Sequence, residues 1–174
     1  MSRRMAGRND LTTGNGESDL RSGVMTDDKP LAGKRRLLGL DYGDKTVGVA
    51  VSDPLGMIAQ GVEIIRRDKA SKLRRTLARV EELAAEYGIE GVVLGLPLKI
   101  DGSEGSRCEK TRQFGSLLEK RLKLPLVYWD ERLTTQEAYD LMREAGVRRE
   151  KKRDFVDEIA AMIILQDFLS ANGA

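Results

Sequence analysis

The chain has 174 residues, with 30 Lys and Arg against 28 Asp and Glu and a formal net charge of +2. Hydrophobic residues make up 40% and charged residues 33%, a globular balance, and no apolar run approaches the roughly 18 residues of a membrane-spanning helix. Histidine is absent and Cys108 is the single cysteine, which excludes a disulfide framework, a Ser-His or Cys-His nucleophile and a His-based zinc site, and suits a reducing, cytoplasmic setting.

Residues 1–34 are rich in Gly, Ser, Thr, Asp and Arg and have almost no clustered apolar residues. Such a stretch buries too little apolar surface to offset its ordering entropy, so a disordered extension is expected there, followed by one domain over 35–174. It lacks the apolar centre of a secretory signal, and Asp10, Glu17, Asp19, Asp27 and Asp28 argue against an organelle transit segment. Strands are expected at 35–40, 46–52 and 61–67, with Asp41-Tyr42-Gly43-Asp44 as a turn between the first two, giving an antiparallel meander. Residues 71–87 carry Leu73, Leu77, Val80, Leu83 and Ala84 at helical spacing, with Ser71 as N-cap and Gly88 as stop. A buried strand over 89–96, a helix over 106–122 and a strand over 124–129 follow. A helix over 134–145 comes next, and a last helix over 153–169 turns Phe155, Ile159, Met162, Ile163 and Phe168 or Leu169 inward. This order predicts an α/β fold, a five-stranded mixed sheet with helices on its faces.

Asp41 closes the first expected strand, Asp130 and Glu131 close the fifth, and Asp157 lies in the first turns of the last helix. In a sheet of this order the first strand is central and the fourth and fifth lie beyond it, so their ends can converge. Gathered carboxylates repel one another and need a compensating charge. With no histidine, hard oxygen ligands favour Mg²⁺ or Mn²⁺. Two such ions clamp the attacking and leaving oxygens of an in-line phosphoryl displacement. Each residue also has a plainer reading: Asp41 as a turn former, Glu131 as an ion-pair partner of Arg132, Asp157 as a complement to the helix dipole.

The segment 38–53, Leu-Gly-Leu-Asp-Tyr-Gly-Asp-Lys-Thr-Val-Gly-Val-Ala-Val-Ser-Asp, resembles the opening signature of the YqgF (RuvX-like) family. Three further segments match in the family's order: 95–106 (GLPLKIDGSEGS), 129–135 (WDERLTT) and 156–166 (VDEIAAMIILQ). The resemblance covers about residues 35–170; the long N-terminal extension is not part of the family core. It implies a ribonuclease H-like fold and a Holliday-junction-resolvase-like nuclease that matures the 5′ end of pre-16S ribosomal RNA. By motif, Asp41, Glu131 and Asp157 correspond to the metal-ligating acids. Asp130 stays a rival to Glu131, because neighbours on a strand point to opposite faces.

A strand ending in Gly-Leu-Pro and followed by Asp-Gly-Ser-Glu-Gly-Ser presents flexible backbone and a helix N-terminus, a place for phosphate. Its plainer reading is an ordinary connecting loop. Two basic clusters stand out. One (Arg66, Arg67, Lys69, Lys72, Arg74, Arg75, Arg79) is best read as a solvated face; the other (Arg148, Arg149, Lys151, Lys152, Arg153) immediately precedes Asp157. The residues expected at nucleic acid are Lys45, Ser103, Ser106, Arg107, Arg132, Arg149, Lys151, Lys152 and Arg153. Aromatics are only 5%, so recognition should rest on backbone and shape. The expected partner is precursor rRNA or branched DNA, met by a monomer or a homodimer and away from membranes. Two other classes compete: a nucleotide-binding ATPase, for which the chain is too short to supply a second domain, and a non-catalytic RNA-binding module.

Overall fold

Strand β1 (Leu37–Tyr42) alternates two apolar faces. Leu38, Leu40 and Tyr42 enter one core cluster and Leu37 another, so β1 is covered on both sides. The computed structural model describes residues 31–69, 72–132 and 152–172, with backbone alone for 152–158. The sheet order is β3-β2-β1-β4-β5. Strands β2 (Thr46–Ser52) and β3 (Ala59–Arg66) continue from β1 as an antiparallel meander. Strands β4 (Gly91–Leu96) and β5 (Leu126–Asp130) run parallel to β1 on its other side. Parallel neighbours need a crossover, and helix α2 (Ser106–Leu122) supplies it between β4 and β5.

Helix α1 (Leu73–Glu86) buries Thr76, Leu77, Val80, Leu83 and Ala84, and α2 buries Phe114 and Leu118 in the same cluster as Leu38 and Leu40. Helix α3 (Lys152–Ala171) covers the opposite face, where Ala161, Ile164, Leu165, Phe168 and Leu169 meet Leu37, Val93, Val127 and Trp129. The expected five-stranded mixed α/β sheet is therefore the observed one. Among the described residues no helix is long and apolar enough to cross a membrane. The helix expected at 134–145 lies outside the described residues.

Several local expectations are corrected. Asp41 and Tyr42 lie inside β1, opposite Gly48 and Val47, rather than in the turn. The turn shrinks to residues 43–45 because Gly43 N–H already bonds the Thr46 carbonyl at 2.9 Å. The packed chain also starts before residue 35: Leu31 is 5% exposed and lies against Gly91, where a Cβ would come within 2.3 Å of Leu31 Cδ2. One leucine after a polar stretch gives composition no window in which to register. Helix α1 is preceded by Lys72, which makes no side-chain cap bond; Ser71 lies outside the described residues. Its other end is as expected, with Gly88 at φ +61 and Ile89 N–H closing onto the Ala84 carbonyl at 2.9 Å.

The inward face of α3 is rotated from the expected one. The buried positions are Ala160, Ala161, Ile164, Leu165, Phe168 and Leu169, while Ile159, Met162 and Ile163 are only half-buried. From Ile159 to Leu165 the helix is apolar at every position, so hydrophobic periodicity does not fix its face. Close approach fixes it instead. A Cβ on Gly39 would lie 2.6 Å from Leu165 Cβ and 3.0 Å from the Ala161 carbonyl oxygen.

Candidate functional site

The side-chain alternation that builds the two cores also sorts the acids. Leu37, Gly39 and Asp41 share the α3 face of β1, and Val127, Trp129 and the following Glu131 share that face beside β5. Asp130 falls on the other parity, with Tyr128, and is held by Arg132: Arg132 Nε donates to Asp130 Oδ2 at 2.7 Å and Arg132 N to Oδ1 at 3.0 Å. Glu131, not Asp130, stands beside Asp41, close enough for the Asp41 charge to act on its carboxyl. Strand parity places Glu131, and not Asp130, on the Asp41 side of the sheet.

Between the two acids lies β4, and its residue at this level has no side chain. A Cβ on Gly95 would sit 2.3 Å from Glu131 Oε2 and 2.6 Å from Ile164 Cδ1. Gly95 therefore forms a cradle for the Glu131 carboxyl, at the carboxyl ends of the parallel strands where α/β sheets place ligands. Glu131 N–H bonds the Leu96 carbonyl at 3.3 Å, and the residue is 9% exposed. Burial pushes its carboxyl well above the usual range; the Asp41 charge adds to this, and Arg107 opposes it.

Two carboxyls side by side, one of them buried, mark a place short of positive charge. The donors are all carboxylate oxygens, which is the chemistry that suits a hard divalent cation. Among the described residues no third acid joins them. Asp157, the third expected ligand, is on the α3 backbone one turn before Ala161, and its side chain lies outside the described residues. The helix carries it towards this end of the sheet. Gln166, further along α3, is tied to Ala59 N and the Met57 carbonyl at the far end, and Ala161 packs on Gly39.

The residues expected at nucleic acid divide. Arg107 and Ser106 are exposed in the first turn of α2, whose N-terminus at Gly105 has no side-chain cap, and the charge of Arg107 reaches Glu131. Lys45 is exposed on the β1–β2 turn, and Lys110–Asp44 at 3.7 Å sets that turn beside α2. Ser103 is engaged within its own loop: its hydroxyl donates to Asp101 Oδ1 at 2.6 Å. Arg132 is ion-paired with Asp130. Arg149 and Lys151 lie outside the described residues, as do the side chains of Lys152 and Arg153.

Two residues escaped the sequence reading. Gly95 left a faint signal, a glycine inside an otherwise apolar strand, which marks close approach of another group. Arg67, read as part of a solvated cluster, is 7% exposed. Its Nη2 donates to the Gly43 carbonyl, its guanidinium lies 4.6 Å over the Tyr42 ring, and Tyr42 stacks on Phe114 at 4.3 Å. Another member of that cluster, Arg79, forks onto Glu63 at 2.8 and 3.0 Å.

A family model described as "RuvX: Holliday junction resolvase" matches residues 35–171. A protein of Agathobacter rectalis is 59% identical over 134 residues, 77% of this chain and 94% of its own length, and bears the name "Putative pre-16S rRNA nuclease". A Leuconostoc citreum protein of the same name is 51% identical over 139 residues, 79% of this chain and 96% of its own. Among solved structures, Thermus thermophilus RuvC in complex with a Holliday junction substrate aligns with a TM-score of 0.53 and 15% identity, covering 80% of this chain and 97% of that one. That likeness identifies the fold as ribonuclease H-like, as expected.

Proposed function

The chain belongs to the RuvX family, and from that premise we propose that it is a metal-dependent nuclease that hydrolyses phosphodiester bonds in structured RNA, trimming the 5′ end of pre-16S rRNA in the cytoplasm. The single observation that carries this reading is the Asp41–Glu131 pair, seated on Gly95 at the carboxyl ends of the parallel strands. Mg²⁺ or Mn²⁺ is the cation whose chemistry the donors suit, held by Asp41 and Glu131 with Asp157 supplied from α3. When bound, it stabilises charge on the attacking and leaving oxygens of an in-line displacement. Asp41 and Glu131 fix the place at the sheet end where the reacting phosphate must sit. The uncapped amides at the start of α2, with Arg107 and Ser106, hold the phosphate. Lys45 and the run Arg149, Lys151, Lys152 and Arg153 track the strand by charge. Water adds to phosphorus, the P–O bond opposite breaks, and the departing oxygen leaves with the proton that water gives up.

The test is incubation of the purified protein with end-labelled pre-16S leader RNA and with a four-way DNA junction, in Mg²⁺, Mn²⁺ or EDTA. RNA should be cut in either metal and untouched in EDTA. Asp41→Asn and Glu131→Gln should each lower the rate by orders of magnitude while RNA binding survives. Wild-type rates in both variants would remove the site assignment. Cutting of the junction alone, by a dimer presenting two sites, would transfer the substrate to branched DNA.

A further inference from the structure

The loop between β4 and α2 is a pinned turn with one apolar side chain at its tip. Lys99 N donates to the Ser103 carbonyl at 2.9 Å and Gly102 N to the Lys99 carbonyl at 2.8 Å. Gly102 takes φ +83, where a side chain would be strained. Asp101 Oδ1 accepts from Ser103 N at 2.9 Å and from its hydroxyl at 2.6 Å. The flanks are held as well: Arg112 forks onto Glu104, and Cys108 Sγ donates to the Pro97 carbonyl at 3.1 Å. At the centre, Arg132 Nη1 donates to the Ile100 carbonyl at 3.4 Å. Arg132 directly follows Glu131 in the chain, so the turn is fastened to the residue next to the carboxylate pair.

The Ile100 side chain is 98% exposed. A lone exposed apolar residue on a mobile loop would need no explanation. Here the backbone is fixed by its own hydrogen bonds, and the β-branched side chain has few rotamers, so little ordering remains to be lost on contact. The other exposed apolar residues among those described differ in place. Leu55, Met57 and Ile58 lie between β2 and β3, at the end of the sheet away from Asp41, and Leu117 lies in the body of α2 and is far less exposed than Ile100. The Lys99 side chain runs beside Gly105 at the start of α2, where a Cβ would lie 3.2 Å from its Cε. The tip has Lys99 before it and Asp101 after it, and it leads into the uncapped α2 N-terminus where Ser106 and Arg107 are exposed, so a base of the strand held at that terminus is the occupant it would meet.

We propose that Ile100 is a wedge that inserts at the duplex–single-strand boundary of the RNA, packs on the terminal base pair and so sets which phosphate reaches Asp41 and Glu131. This rests on the nuclease reading above and adds a specificity-determining residue to it. Apolar side chains inserted between bases unstack them locally, and packing of the side chain on the exposed base face offsets the lost stacking.

The probe is a hairpin RNA with a single-stranded 5′ extension and 2-aminopurine at the boundary, titrated in EDTA so that binding is read without cleavage; parallel reactions in Mg²⁺ map the cuts. Wild-type protein should raise 2-aminopurine fluorescence. Ile100→Ala should abolish that rise, weaken binding to the hairpin by roughly tenfold, the worth of burying an isoleucine side chain, and scatter the cleavage positions. It should leave binding to an unpaired strand of equal length and the melting temperature unchanged, and Ile100→Leu should restore the wild-type pattern. If Ile100→Ala matches wild type in fluorescence, affinity and cut sites, the wedge is refuted and the nuclease stands. If wild type cuts nothing but Ile100 still governs the fluorescence, the contact with the base pair stands, while the nuclease reading and the role of Ile100 in selecting the phosphate both fall. Absence of any RNA binding overturns the wedge and hands Ile100 to a protein partner.

Discussion

Replacing Gly95 by alanine tests the geometry of the carboxylate pair directly. The new Cβ would lie 2.3 Å from Glu131 Oε2 and 2.6 Å from Ile164 Cδ1, where ordinary contact begins near 3.4 Å. One or both groups must therefore move by about an ångström. Ile164 is fully buried against β4, so it yields less readily than the carboxyl. Overpacking of this kind costs about 1–3 kcal/mol, offset by up to about 1 kcal/mol from the stiffer unfolded chain. A net loss of about 1–2 kcal/mol lowers the melting temperature by roughly 3–10 °C in a domain of this size. A reacting group displaced by about 1 Å loses on the order of a hundredfold in rate. Calorimetry and cleavage in Mn²⁺ read the two effects. In a Glu131→Ala background the same change should destabilise less, because half of the clash is gone. A Gly95→Ala variant that melts within about a degree of wild type and cuts at its rate would refute the cradle.

Two further outcomes follow from buried charge. Glu131 in the folded protein keeps its proton over a pH range where the unfolded chain has lost it, so the folded state binds more protons and stability falls as pH rises through that range. The range runs upward from the ordinary glutamate value. Glu131→Gln should flatten this slope in chemical denaturation followed in EDTA, and an unchanged slope would assign the loss to another group. At Arg67, Nε and Nη1 are buried without an acceptor. Arg67→Met should be as stable as wild type, or more stable by about 1 kcal/mol, since an apolar group replaces an under-satisfied buried cation. Arg67→Ala should lose about 2–4 kcal/mol through the cavity left over Tyr42. A Met variant as unstable as the Ala variant would show that the guanidinium itself holds the hairpin.

The sheet was legible because its signals are local. Runs such as Thr46–Ser52 and Gly91–Leu96 alternate or stay apolar over their whole length, and Gly88 ends α1 where expected. Element edges were less so, since Asp41 and Tyr42 look like turn residues and enter the ladder only because β2 pairs with them. The face of α3 was hidden for the opposite reason, an excess of apolar residues, and only the fit of Ala161 and Leu165 against Gly39 selects it. Arg67 resembles its solvated neighbours in sequence; its burial depends on Tyr42 and Gly43, more than twenty positions away.

The carboxylate pair shows how a long-range site follows from short-range rules. Nothing local to Asp41 or Glu131 says that they meet. Parity places Asp41 on the α3 side of β1 because Leu38 and Leu40 are needed on the other. The same parity turns Glu131 with Trp129 and Val127, and leaves Asp130 to Arg132. Pairing β1 with β4 and β4 with β5 then brings both acids to one end of one face, separated by a residue that must have no side chain. A one-residue slip of β5 would exchange Glu131 for Asp130 and put Trp129 on the wrong face. The Trp129 indole donating to Asp167 at 2.8 Å and stacking edge-on to Phe168 opposes that slip, so the contacts that stabilise the α3 core also fix which acid stands beside Asp41.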